Sequence, residues 1–487
     1  MEKGFDNNLY LKLQKESILK KIETFNNKLY LELGGKLFDD FHASRVLPGF
    51  DPNVKIKLIE SLKDKTEVIF CISATDIERN KIRNDLGLSY DMEVLRLIDN
   101  LRSLDIYVSA IVITLFKNQP SATKFANKLK RRGERVFIHK PTAGYPNDIA
   151  KVVSDEGYGA NEFIETTKPL VVVTAPGPCS GKLATCLAQL YHEYKNGVKA
   201  GYAKYETFPV WNLPLKHPVN VAYEAATADL KDVNVIDQFH FNKYGTLAVN
   251  YNRDVAVFPI LQEILKKITG KSIYESPTDM GINMVGYAIT NNDVIEEACK
   301  CEIIRRLYNA KCEFKKGSGE NSTVERILEL LDELKLNVNH REVVNVAKDV
   351  SKETGYPTVA IKLPNGEVVT GKTKTLISAS AGVMLNALKN LAGVPDNVEI
   401  ISASVLKPIL KLRKEMLGYK SSVICLDDIL VALSICAGAD SNAKAALSKL
   451  NELSGCDAHS TYILPSSEET TLKRLHINIS SEPVYNT

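Results

Sequence analysis

Short apolar runs alternate with helical periodicity through the first half of the chain. Leu29 to Leu33, Val68 to Ile72, Ile106 to Leu115, Val136 to Ile138 and Leu170 to Thr174 read as strands. Met92 to Leu104 and Ala122 to Arg131 repeat apolar residues at helical spacing between them. Strands that are apolar on nearly every residue are buried on both faces. The pattern therefore predicts α/β architecture with a three-layer, mostly parallel N-terminal sheet. From about Val257 the texture becomes helical, at Ile260 to Ile268, Val294 to Leu307 and Val324 to Leu336. Ser322-Thr-Val-Glu325 has the form of a capping box for the last of these helices. Beyond His340 strand signals return at Val359 to Ile361, Glu367 to Thr370, Val398 to Ile401, Ser422 to Leu426 and Tyr462 to Leu464. Helical patterns sit among them at Ala379 to Leu391 and Ala443 to Leu453. This divides the chain into an α/β domain at 1–255 with a P-loop-like turn, a helical segment at 256–338 and a smaller mixed α/β domain at 339–487.

Composition changes this picture little. At 487 residues the chain is too long for one comfortable core, and 44% hydrophobic with 25% charged residues is ordinary globular usage. The net charge of +3 comes from 62 basic and 59 acidic residues. That balance gives no electrostatic case for nucleic acid or an anionic membrane as partner. The polar opening Glu2-Lys3-Gly4-Phe5-Asp6 has no apolar core like that of a signal peptide, and no run approaches a membrane span. Nine scattered cysteines read as reduced thiols of a cytoplasmic protein.

The strongest chemical signal follows the run Leu170 to Thr174. Ala175-Pro-Gly177-Pro-Cys179-Ser180-Gly181-Lys182 leads into a helical pattern stopped by Gly197, and Ala200 to Lys204 is the next strand. Backbone N–H groups where such a loop enters a helix can cradle phosphate, with Gly177, Ser180, Gly181 and Lys182 as the binding residues. The motif departs from a P-loop: Gly177 is one residue too close to Gly181, and Leu183 replaces the magnesium-binding hydroxyl. A glycine turn that merely starts a helix is the alternative. Cys179, at the same helix start beside Lys182, is a candidate nucleophile, with His240 or His459 as its base. Gly34, Gly35 and Lys36, after the first strand, offer a second phosphate turn or a solvated glycine bend. Glu224 and Asp237 are the candidate magnesium ligands; surface carboxylates are the plainer reading.

Gly366-Glu-Val-Val-Thr-Gly371-Lys372-Thr373 matches the P-loop pattern letter for letter, yet follows an Asn365-Gly366 turn and reads as the returning strand of a hairpin. His192-Glu193 begins a zinc helix signature, but Asn196 stands where the second histidine belongs, so no zinc is expected.

Ala175 to Lys182, Tyr223-Glu-Ala-Ala-Thr-Ala-Asp-Leu230, Ser276-Pro-Thr-Asp-Met-Gly281, Gly371-Lys-Thr373 and Cys456-Asp-Ala-His-Ser-Thr461 together resemble a bacterial family known only as domain of unknown function 1846. The resemblance spans essentially the whole chain and implies an α/β N-terminal part, a helical segment and a smaller α/β C-terminal part. It implies no catalytic residue. Some members carry the label ATP-dependent zinc protease, and the residues here do not supply its zinc half. Over a short stretch, the order loop, helix, glycine, strand ending in lysine is similar to ATP-dependent synthetases such as dethiobiotin synthetase. The expectation is a phosphate- or nucleotide-binding enzyme using ATP and magnesium, with a small phosphorylated ligand or nucleotide and further copies of the same chain as partners; the alternatives are a cysteine-nucleophile transferase or hydrolase at Cys179 and a non-catalytic binding module whose loop only starts a helix.

Overall fold

The computed structural model describes residues 2–83, 87–418 and 423–486. They form two compact units, one of Glu2–Glu224 with Asp232–Glu296, the other of Ala225–Lys231 and the described residues from Glu297 onward.

The first unit is built on seven strands: β1 (Leu29–Leu33), β2 (Thr66–Ser73), β3 (Tyr107–Thr114), β4 (Val136–Ile138), β5 (Leu170–Thr174), β6 (Gly201–Tyr205) and β7 (Gly281–Ile282). They lie in the order β7-β6-β1-β5-β2-β3-β4, and every pairing is parallel. Alternate residues of each central strand face opposite layers. Val68, Phe70, Ile72, Leu170 and Val172 pack with Ile18 and Ile22 of α1 (Asn7–Thr24), Val94 and Ile98 of α2 (Tyr90–Ser103) and Phe125 of α3 (Pro120–Arg131). Ile69, Cys71, Val171 and Val173 pack on the other face with Cys186, Leu187 and Leu190 of α4 (Lys182–Lys195) and Phe258, Leu261 and Ile264 of α5 (Asn252–Thr269). The mostly parallel three-layer sheet expected from the sequence is thus present. Among the described residues no helix is long and apolar enough to cross a membrane.

Connections from β2 run through α2 and α3 toward the β4 edge on one face. The connection from β5 runs through α4 on the opposite face toward the β7 edge. Adjacent strands whose chains leave in opposite directions open a crevice at their carboxyl ends, where ligands of such sheets bind.

The helical stretch contains α6 (Asn292–Lys315) and α7 (Asn321–Glu333). The capping box does not form: α7 begins before Ser322, and Ser322 donates to Glu320 instead of closing the helix start. In the second unit β8 (Thr358–Lys362), β9 (Val368–Lys372), β10 (Asp457–Ser460) and β11 (Asn478–Ser481) make a mixed sheet in the order β9-β8-β10-β11. Two expected strands are absent. Val398 to Ile401 is a turn and loop whose isoleucines fill the core, with Val398 N–H bound to Pro395 O. Tyr462 to Leu464 is loop, and the strand is its neighbour, Asp457–Ser460. The reading from Ser422 starts outside the described residues; its remainder gives a single bridge, Ile424 to Ile377, before a helix begins at Leu426.

The letter-perfect P-loop match is the hairpin. β8 and β9 pair antiparallel through a turn with Gly366 at φ +90°. Gly371 sits where a β-carbon would lie 2.5 Å from Ala379 O and would strike the main chain at Val383, so the glycine is there for close helix packing.

Candidate functional site at the carboxyl edge

The loop after β5 lies at the crevice between β5 and β2. Gly181 precedes α4 at φ +82° and Cys179 stands at φ +58°, a conformation costly for a residue with a side chain. The turn is braced from beneath. Ser180 Oγ donates to Gly177 O at 2.6 Å, and Thr114 Oγ1, from the end of β3, donates to Ser180 O at 2.7 Å. Gly177 presses against Tyr90 so closely that any β-carbon would collide with its ring; one on Gly181 would lie 2.8 Å from Thr114. Ser180 is therefore buried and spent on the loop, while Cys179 is exposed. No side chain caps the start of α4 among the described residues, and no acid stands in its first turn. The N-terminal N–H groups and Lys182 consequently leave a positive end facing the crevice. At the foot of the loop Thr174 is fully buried, and its Oγ1 makes no hydrogen bond to the described residues.

Behind the loop the groups are shielded. Thr185, the first hydroxyl after Lys182 in sequence, is buried and accepts from Cys71 Sγ at 3.4 Å, so it lies beneath the loop rather than at its mouth. Burial pushes the Cys71 thiol up to about 12, against the weaker pull of Thr185 and Lys182.

Two further elements reach the same edge. Gly34 N–H donates to Tyr205 O at 2.9 Å, and Gly35 turns the chain at φ +69°. Lys55, buried, donates to Gly34 O at 3.1 Å and to Asp40 at 2.9 Å. Burial alone would raise Asp40, yet Lys55, with His42 and Lys36 farther off, holds it below the usual carboxylate range. From β6, Lys204 binds Asp254 of α5 at 2.7 Å and faces Glu206 at 3.9 Å. The neighbouring Arg253 pairs with Asp232, its Nη2 donating to one carboxylate oxygen at 2.7 Å and its Nε lying 2.6 Å from the other, and the charge of Cys179 acts on it from farther off.

The remaining sequence candidates stand elsewhere. Asp237 is fully buried and caps a helix turn: its oxygens accept from Phe239 N–H, His240 N–H, Thr278 N–H and Thr278 Oγ1. His240 contacts Ser276 at 3.1 Å and Asp279 at 3.7 Å, in the segment leading into β7. Glu224 is buried and accepts from Asn234 N–H at 3.3 Å. His459 belongs to the second unit, in β10, with Ser480 at 2.9 Å and Glu482 at 3.4 Å, and burial pulls it down to about 4. Among the described residues no three His, Cys, Asp or Glu side chains are grouped to hold a metal ion.

The sequence reading noted Lys204 only as the end of a strand and passed over Glu206, Arg253 and Asp254. Glu206 had a usable signal, since it directly follows a strand pattern at the sheet's carboxyl end. Arg253 and Asp254 had none: α5 starts at Asn252, eight residues ahead of the legible pattern, with Pro259 inside the helix.

Two profiles account for the chain almost end to end: "Domain of unknown function DUF1846, N-terminal" at residues 3–335 and "Domain of unknown function DUF1846, C-terminal" at residues 339–487. The chain belongs to this family. Relatives called UPF0371 protein are 53% identical in Clostridium tetani (strain Massachusetts / E88) and 52% in Clostridioides difficile (strain 630). Another, in Clostridium botulinum (strain Langeland / NCTC 10281 / Type F), is 51% identical. Each alignment runs over 494 positions, covering 100% of this chain and 98% of the relative. The family is uncharacterised and bacterial, and its names state no activity.

Proposed function

We propose that the chain binds a phosphorylated small molecule or nucleotide at the Gly177–Lys182 loop and acts on it as an enzyme of the phosphoryl-transfer or ATP-dependent ligation class. One observation carries this reading: an uncapped fourteen-residue helix starts with Lys182 at the crevice where the sheet's connections part. The N–H groups there favour an anion, and Lys182 supplies a point charge. Leu183 stands where a P-loop keeps its metal-binding hydroxyl, and Asp237 already accepts four hydrogen bonds. On this reading the loop holds phosphate without itself supplying a magnesium ligand.

A second reading rests on Cys179, exposed and strained just ahead of α4. It would make the chain a cysteine-nucleophile transferase or hydrolase, and it ranks lower because His240 is engaged with Ser276 and Asp279.

A thermal-shift screen of the wild type against nucleotides, sugar phosphates and pyrophosphate, with and without magnesium, separates the two. A ligand at a hundred times its dissociation constant adds about 2.7 kcal/mol. A shift with any phosphate ligand, lost in Lys182→Ala, supports the loop reading. No shift with any of them defeats it.

A further inference from the structure

Gly177 of the loop lies against Tyr90, the first residue of α2, and a β-carbon on it would sit 2.3 Å from the phenol oxygen. Tyr90 therefore carries its hydroxyl end to the main chain of the loop. Over the same ring stands Lys81, its Nζ 5.0 Å from the centroid. Main-chain bonds pin the base of this lysine. Its N–H donates to Asp76 O at 3.0 Å, and its carbonyl accepts from Tyr90 N–H at 2.9 Å. Ile82–Arg83 and Leu88–Ser89 pair antiparallel, so Lys81 and Tyr90 stand side by side at the open end of a hairpin that follows β2.

Lys81, Asp76 and Arg83 act on the phenol through their charges. Arg83 is buried and spent on Glu93. Asp76 stays 3.5 Å from Lys81, beyond a good hydrogen bond. The lysine side chain keeps 42% of its surface open. Lys81 is thus a cation with donors to spare, on a flexible stem, one aromatic ring away from the loop. The same side of the loop holds an unanswered donor. Thr174 follows Val172 by two residues in β5, so its side chain turns to the layer that Val172 and Tyr90 share. It is fully buried, and its Oγ1 has no hydrogen-bond partner among the described residues.

We infer that Lys81, set in place by Tyr90, forms a second anion subsite beside the Gly177–Lys182 loop, and that the ligand class is a diphosphate or triphosphate rather than a monophosphate. The inference rests on the loop reading above. One phosphate group takes the N–H groups of the helix start and Lys182. A buried hydroxyl left unpaired is costly, and an oxygen of that group is the partner Thr174 lacks. The next phosphate group along the ligand meets Lys81, which turns to it from Asp76 and makes charge-assisted hydrogen bonds. A monophosphate fills only the first place.

The test is calorimetric titration of pyrophosphate without magnesium, with orthophosphate affinity read by its displacement of pyrophosphate. The proteins are the wild type, Lys81→Ala, Lys81→Arg and Lys182→Ala. The wild type should hold pyrophosphate at least about tenfold more tightly than orthophosphate. Lys81→Ala should cut that preference by about fivefold with orthophosphate little changed, and Lys81→Arg should keep most of it. Lys182→Ala should weaken both ligands. A wild type without the preference, a preference unchanged in Lys81→Ala, or both ligands weakened equally there overturns the inference and leaves the loop reading standing. Failure of every phosphate ligand to bind the wild type overturns both.

Discussion

Replacing Glu206 by Gln should remove a pH dependence from the stability of the fold. Gln keeps the shape and neutrality of the protonated side chain. The folded carboxyl titrates at about 8 against an ordinary 4.5. Between those values the native state holds a proton that the unfolded chain has released, so stability falls as pH rises. A difference of one proton gives a slope of about 1.4 kcal/mol per pH unit. Over the window the wild type should lose about 3–5 kcal/mol relative to the variant. The two proteins should be nearly equal at pH 5 and diverge steadily to pH 8, then run parallel. Urea unfolding at half-unit pH intervals reads this directly, because other titrating groups cancel in the comparison. A difference that stays flat across the window, or a wild type that gains on the variant as pH rises, refutes the reasoning.

Three further outcomes follow from the packing. Gly371→Ala should destabilise the protein by at least about 2 kcal/mol in chemical unfolding, since the new methyl meets main chain that cannot yield; Lys372→Ala should leave phosphate binding unchanged, as a hairpin residue must. Gly177→Ala should cost about 1–3 kcal/mol and weaken phosphate binding, and Tyr90→Ala in the same chain should recover part of the affinity by vacating the space. Alkylation of the native protein at pH 8, read by peptide mapping, should modify exposed Cys179 and spare Cys71 and Cys186, both buried with thiols raised by burial.

The sheet was legible because its strands are buried on both faces and so read as unbroken apolar runs: Leu29–Leu33 and Leu170–Thr174 have the bounds the pattern gives. In the second unit the same rule misled at Val398 to Ile401, where apolar residues fill a core from a loop. The glycine loop was legible from local order alone. Its setting was not, because the crevice depends on strand order, which brings β5 between β1 and β2 from more than 90 residues away. The same holds for Glu206, whose proton depends on Lys204, Asp254 and Glu32 meeting in space. The motif with the better spelling, Gly366 to Thr373, failed because a β-hairpin leaves no helix start for phosphate.

The central claim is that the Gly177–Lys182 loop binds phosphate, and calorimetric titration of pyrophosphate into wild type and Lys182→Ala tests it most directly. Saturable binding to the wild type at one site per chain, weakened at least tenfold (about 1.4 kcal/mol) in the variant with its fold intact, is the predicted result. Equal affinity in the two proteins, or no heat of binding in either, would contradict the account.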